Sequence, residues 1–543
     1  MDIKQLSDDM NLKRCGTKNS LIRLSGVAVF TLIAASNHNK VETTHPNILF
    51  AIADDASWKH FGAYGCKWVR TPAFDRVAQR GILFTNAYTP NAKSAPSRAS
   101  ILTGRNSWQL EEACNHSPHF PARFKTYAEA LGENGYFVGS VAKGFAPGDP
   151  GKINGKDREL TGPKFDQFKT TPPTKGISTI DYAKNFDAFF EARPKDKPFC
   201  FWYGSHEPHR IYEFKSGIEK GGKTISEIDE VPAFWPDMDT VKTDMLDYAF
   251  EIEYFDNQLQ KMLQKLEEIG ELENTIVVVT ADNGMPFPRI KGQEYEYSNH
   301  LPLAISWPKG IRKPGRVVND FVSFIDFAPT FLELAGLTAA QTKMQPVTGK
   351  SLTDIFYSEK EMTVNPERDF VLIGKERHDV GRPNDEGYPI RGIIRDHFLY
   401  IKNFKPERWP AGNPETGYLN CDGSPTKTYI LDTRRKKGKQ EYWQLNFGKR
   451  VAEEFYNIQE DPYCMKNLAE NPAYNDLKQK LKEEMTQKLI EQADPRIIGN
   501  GDIFDHYEYS GKAKNYYNRY MNGEKVTADW VNESDYDTDL KDH

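Results

Sequence analysis

Cysteine is scarce. Six residues in 543 (Cys15, Cys66, Cys114, Cys200, Cys421 and Cys464) lie far apart without CxxC spacing, which argues against a disulfide framework and a thiolate metal site. An excess of positive charge is also missing. At a net charge of −6 nothing marks the chain as a general polyanion binder, so nucleic acid is not an expected partner. No internal repeat is visible. "TGKSL" at Thr348 to Leu352 ends like a phosphate-binding loop, but Met344 stands where the first glycine is required. The run Arg434, Arg435, Lys436, Lys437 and Lys439 reads as a solvated loop.

Long apolar stretches are missing too, so no membrane span is expected. Leu24 to Ala35 is too short to cross a bilayer comfortably. Lys13, Arg14, Lys18 and Arg23 precede it, and Ala34, Ala35 and Ser36 lead into polar Asn37. This pattern predicts a signal peptide over residues 1–36 and a periplasmic or secreted protein, with Met10 a more usual start than Met1. No cysteine follows the run to carry a lipid. Removing Cys15 with the signal would leave an odd set of five.

What remains is long enough for one large domain and a smaller one. Four apolar runs end in polar groups: "PNILFAIADD" in Asp54 and Asp55, "GYFVGSVAKG" in Lys143, "KPFCFWYGSHEPH" in His206 and His209, and "NTIVVVTADNG" in Asp282 and Asn283. They read as buried strands of a mainly parallel α/β sheet, whose carboxyl ends would gather these groups. Leu246, Phe250, Leu259, Met262, Leu263 and Leu266 mark a long helix stopped by Gly270. After about residue 365, short Gly- and Pro-punctuated segments suggest a smaller antiparallel sheet, and Leu477, Leu481, Met485 and Leu489 a closing helix. We therefore expect domains at 45–365 and 366–543. Roughly the last forty residues are polar and tyrosine-rich and receive no assignment. Aromatics make up 12% of the chain, a hint of stacking against sugars that ordinary core packing also explains.

One stretch is specific. "SAPSRASILTGR" (94–105) resembles the type I sulfatase signature, in which Cys or Ser is followed by x-P-S-R and, after three residues, by L-T-G-R. "ADDASWKHFGAYG", "TPAFDRVAQRGILFTNAY", "SHEPHR", "ADNGMPFPR", "LPLAISWP", "FIDFAPTFLELAG" and "FYNIQEDPYCMKNLAENP" resemble further segments of that family in the expected order. The flavour is that of the heparan N-sulfatase (sulfamidase)-like branch and bacterial glycan sulfatases. The resemblance implies an alkaline-phosphatase-like α/β fold: a large mixed sheet sandwiched by helices, with a smaller C-terminal antiparallel sheet plus helix.

It also implies chemistry. A sulfate ester needs a nucleophile, cations around its oxygens and an acid for the departing alcohol. Ser94 would be oxidised to formylglycine (3-oxoalanine) by a serine-type radical maturase before export, and its hydrate would attack sulfur. Asp54, Asp55, Asp282 and Asn283 are oxygen ligands suited to a hard cation; by resemblance this is Ca²⁺, with residue 94 completing the shell. Arg98 would hold the modified residue and the sulfate, Lys143 and Lys291 would contact sulfate, and Arg289 competes with Lys291 for that role. His209 matches the leaving-group acid, with His206 as partner, substrate contact or packed residue. The family's histidine two positions after the first lysine is absent, since Phe145 stands there; His116 or His119 could replace it. Arg377 and His378, with Glu376, Arg382 and Arg391, lie where the family's smaller domain leans over the pocket. The expected partner is a sulfated saccharide, O-sulfated galactose or hexosamine first and N-sulfoglucosamine second. Two other readings are a two-zinc phosphoesterase of the same superfamily and a catalytically silent glycan-binding protein.

Overall fold

Every residue of Asn47–Ala53 is buried, and a strand apolar at consecutive positions needs cover on both faces. The structure, a computed structural model describing residues 45–537, supplies that cover. The segment read as a signal peptide lies outside the described residues. Asn47–Ala53 (β1) belongs to a seven-stranded sheet with Ile82–Phe84 (β2), Phe137–Ala142 (β3), Phe199–Gly204 (β4), Thr275–Ala281 (β5), Leu303–Ser306 (β6) and Arg316–Val318 (β7). Their order is β7-β2-β6-β5-β1-β4-β3. Alternate side chains of β1 enter two cores, Ile48, Phe50 and Ile52 on one face and Leu49, Ala51 and Ala53 on the other. Ser94–Thr103 (α1), Asp239–Glu268 (α2) and Phe327–Leu334 (α3) cover these faces. α2 sends Leu246, Phe255 and Leu259 into the core of Leu49; α1 and α3 send Ile101, Leu102 and Phe331 into that of Ile48.

The four strands read from the sequence are neighbours and mutually parallel, with Ala53 opposite Ala281, Ile52 opposite Gly204 and Ala142 opposite Gly204. Their carboxyl ends therefore share one edge. β6 runs antiparallel to β5 and β2, while β7 is parallel to β2, so one reversed strand makes the sheet mixed, as the family resemblance implies, and the other six share a direction, as the mainly parallel reading expects.

Phe370–Lys375 (β8), Ile390–Arg395 (β9), Phe398–Asn403 (β10) and Glu453–Asn457 (β11) form a second, antiparallel sheet in sequence order. The basic run is not a loop. Pro425–Lys437 forms a helix (α4), because Ser424 caps its start, Gly438 ends it at φ 65° and cations favour its carboxyl end. There Arg434 pairs with Asp537. Asn475–Glu491 (α5) lays Leu481, Met485 and Leu489 against Leu372, Ile393 and Tyr400 of the second sheet. No helix among the described residues is long and apolar enough to cross a membrane.

A buried ion network ties the turn that follows α5 to that sheet. Arg391 donates to both carboxylate oxygens of Asp494, at 2.7 and 2.9 Å, and to Glu376 at 2.8 Å, while Arg496 reaches Glu376. Asp494→Ala would leave the fully buried Arg391 half-paired. We expect a loss of about 3–5 kcal/mol, read by chemical denaturation; a change within about 0.5 kcal/mol would count against the network.

Candidate active site

α1 is buried at all ten positions. Lys93 enters it extended, so Ser94 is its first residue, and Pro96 falls in the first turn, where no intrahelical N–H bond is lost. Arg98 follows one turn later on the face of Ser94. Gly104 closes the helix at φ 69°, and a Cβ there would meet Val347, Ala328 and Pro329 at 3.1–3.2 Å. Arg105 binds the Pro346 carbonyl and so fastens the far end of the helix.

Around Ser94 the strand-end groups converge. Its Oγ donates to Asp54 Oδ1 at 3.2 Å, and Lys143 Nζ donates to both Asp54 oxygens at 2.6 Å and to Ser94 Oγ at 3.1 Å. Arg98 Nε donates to Asp282 at 2.8 Å, and its Nη1 to the carbonyls of Lys143 and Gly144 at 2.7 and 3.0 Å. Asp282 Oδ1 in turn accepts from the Asp55 amide and the Asn283 side chain. Burial raises a carboxyl, yet Lys143, His209, Arg98 and Lys291 together hold Asp54 well below the usual carboxylate range. At Asp282 burial outweighs Arg98 and the shift is upward.

Oxygens of Asp54, Asp55 and Asp282 lie within 4.8 Å of one another. Oδ1 of Asp55 and Oδ1 of Asn283 are buried and accept no hydrogen bond. Orphaned oxygens in an all-oxygen set fit a hard divalent cation. A second triple, Asp55, His209 and Asp422, meets the same distance, but the Lys291 ammonium bonds Asp55 and lies 3.6 Å from Asp422. Despite burial, these carboxylates and Asp54 push Lys291 above its ordinary value. A fixed ammonium there takes the place a second metal would need.

Arg289 does not share that role: its guanidinium reaches the carbonyls of Leu445 and Cys464. His209 is half-buried, with Nε2 3.8 Å from Asp55 and Nδ1 2.7 Å from the Arg210 carbonyl. Arg210 is itself clamped by Asp244 at 2.7 and 2.9 Å. The His206 side chain is exposed, and its amide donates to Tyr182 Oη. Buried Glu207 holds this loop through Ser205, Tyr182 and the Ser178 amide.

Ser94 opens onto a cavity of about 180 Å³ shared with Lys143, His209, Lys291 and His116. Burial pushes His116 down to about 4, against the pull of Asp379, whose carboxylate it meets at 3.1 Å. His119 is exposed and bonded to Asp149. Phe145 packs edge-on against Phe120, centroids 5.0 Å apart. Arg377 and His378 do not line the cavity. Arg377 binds the carbonyls of Tyr507 and Glu508, and His378 bridges Asn91 and the Gly292 carbonyl next to Lys291. Glu376 and Arg391 belong to the ion network, and Arg382 binds the carbonyls of Trp409 and Pro410. Sequence reasoning missed Asp379, Asp422, Tyr509 and Trp530, all on the cavity wall. Only the tail's aromatic content hinted at the last two.

Residues 46–337 match the protein family described as Sulfatase. An ulvan-active sulfatase of Formosa agariphila is 29% identical over 509 residues, covering 89% of this chain and 90% of that protein. Human N-sulphoglucosamine sulphohydrolase is 25% identical over 498 residues, covering 84% and 93%. Among solved structures, BT4656 in complex with its substrate D-glucosamine-2-N,6-O-disulfate aligns with TM-score 0.57 at 21% identity, over 83% of this chain and 99% of that one; at that identity the likeness is one of fold.

Proposed function

Because the chain belongs to the sulfatase family, we propose that it hydrolyses sulfate esters of carbohydrates, with Ser94 as the precursor of the nucleophile. The observation that carries this is the hydrogen-bonded set of Ser94, Asp54 and Lys143 at the head of a buried helix, braced by Arg98. Formylglycine made from Ser94 by a maturing enzyme would supply, as its hydrate, the attacking hydroxyl, and Asp54, Asp55, Asp282 and Asn283 would hold a Ca²⁺ that would supply positive charge for the sulfate oxygens. Lys143 and Lys291 present ammonium groups to the same cavity, where fixed cations stabilise developing negative charge. Arg98 orients Asp282 and the Lys143 backbone. At His209 the carbonyl of Arg210 can only accept, so Nδ1 carries a proton and donates it. In the imidazolium form Nε2 carries the second proton; giving that proton to the departing sugar oxygen leaves the neutral ring with Nδ1–H still bonded to the Arg210 carbonyl.

O-sulfated galactose or hexosamine is the substrate class we favour. N-sulfoglucosamine is the second, supported by the similarity to human N-sulphoglucosamine sulphohydrolase over most of the chain. The basic and apolar N-terminal segment supports a periplasmic or secreted location. We assign most of the sulfate chemistry to residues 45–365 and much of the sugar contact to 366–543.

Chelation of divalent cations is expected to lower sulfate release about tenfold or more, with Ca²⁺ restoring it better than Zn²⁺. Ion chromatography of released sulfate measures this. Full activity after exhaustive chelation would rule out the metal assignment, and two zinc ions per chain by elemental analysis would favour the phosphoesterase.

A further inference from the structure

The tail beyond residue 500 lies outside the matched segment 46–337, yet it returns to the nucleophile. Tyr509 and Trp530 line the cavity that Ser94, Lys143 and His209 share. Both rings are fixed. Buried Arg377 takes the carbonyls of Tyr507 and Glu508, and its guanidinium lies 5.6 Å from the Tyr509 ring. Ser510 donates through both its amide and its hydroxyl to the Ser117 carbonyl, 2.9 Å each. Trp530 Nε1 donates to the Leu419 carbonyl at 2.8 Å, and its own carbonyl accepts from the Gly423 amide at 2.7 Å. Beyond Trp530, buried Asp535 pairs with Lys427 at 3.0 Å. The two aromatic walls are therefore set before any ligand arrives, which lowers the ordering cost of binding.

The cavity combines these aromatic side chains with the carboxylates of Asp379 and Asp422. Aromatic faces suit the C–H faces of a sugar ring, and carboxylates accept hydroxyl hydrogens. Lys93 pairs with Asp379 at 2.9 Å and Lys291 lies 3.6 Å from Asp422, so both carboxylates are held in place. At about 180 Å³ the space falls below the roughly 300–1,000 Å³ of pockets that enclose drug-sized ligands, so it suits a single ring.

We propose that Tyr509 and Trp530 are specificity-determining residues that seat one terminal sulfated sugar ring over residue 94, so that the enzyme acts from chain ends. This rests on the sulfate-ester reading above. The test uses the full mature chain with galactose 6-sulfate, N-acetylglucosamine 6-sulfate, a trisaccharide sulfated at its terminal or internal ring, and an activated aryl sulfate. Trp530→Ala should raise KM for the better monosaccharide about tenfold or more while kcat changes less than about threefold. Trp530→Phe, which keeps a ring, should recover most of that loss, and Tyr509→Ala should repeat the KM effect. The unaltered enzyme should release terminal but not internal sulfate. An unchanged KM in a folded Trp530→Ala or Tyr509→Ala protein, or equal release of internal sulfate, overturns the inference while aryl sulfate turnover leaves the sulfatase reading intact. If the alanine variants do not fold, the trisaccharide pair decides on the unaltered enzyme. Failure of that enzyme on every sulfate ester, the aryl one included, overturns both.

Discussion

Ser94→Ala should reduce sulfate ester hydrolysis by about 10⁴-fold or more, the scale expected when a nucleophile is removed from a preassembled site. Its Oγ is the one atom that Asp54 and Lys143 both address. Folding should survive, because the side chain contributes one hydroxyl on a helix held by Ile101, Leu102 and the Gly104 cap; an unchanged thermal melt would show this. The parent protein, taken from a source that matures it, should carry residue 94 short of two hydrogens in the mass spectrum of its tryptic peptide. Full activity with unmodified serine in every molecule would sink the formylglycine mechanism, and an intact fold without any turnover in matured protein would favour the silent glycan-binding alternative.

The second large effect belongs to His209. A sugar alkoxide is a poor leaving group, and a positioned acid contributes about 10²- to 10⁴-fold. An activated phenolate needs far less help. His209→Ala should therefore lose about that factor on a sugar sulfate and much less on an activated aryl sulfate, measured as paired kcat/KM values. His206, whose side chain is exposed while its amide binds Tyr182, should depress both substrates by a similar, small factor when changed to alanine. Equal losses for His209→Ala on the two substrates, with selective loss for His206→Ala, would reverse the assignment.

The strand-end half of the site was legible because it follows from local pattern. A buried parallel strand needs a continuous apolar run, and the polar residue that ends it must stand at the carboxyl edge, so Asp54, Lys143, Asp282 and the His206–His209 loop could be gathered from one sequence. Lys291 and Arg289 could not be separated, since two residues of spacing do not reveal that Arg289 sits at φ 68° and turns to Leu445 and Cys464. The cap over the cavity was illegible for a different reason. Tyr509 and Trp530 come from more than 400 residues beyond Ser94 in the chain, within a polar segment that has no period to read. Arg377 and His378 lie on a segment that helps build the site, but their side chains brace backbone carbonyls, a role that charge alone does not announce.

Ser94 is 2% exposed, and the helix it heads is buried from end to end. If Ser94 is matured as proposed, the maturing enzyme would have to reach this side chain, and a cavity of about 180 Å³ is too small to admit another protein's active site. On that reading the stretch from Lys93 to Arg105 would be accessible before the helix is buried, and oxidation and folding would compete as rates for each newly made chain. A molecule that folds first has hidden its own substrate peptide, and recovering it means exposing a central core element, an opening as rare as global unfolding. The yield of working enzyme would then follow a kinetic ratio at synthesis rather than the stability of the finished protein, and a sequence change that only speeds folding would diminish activity without touching the site.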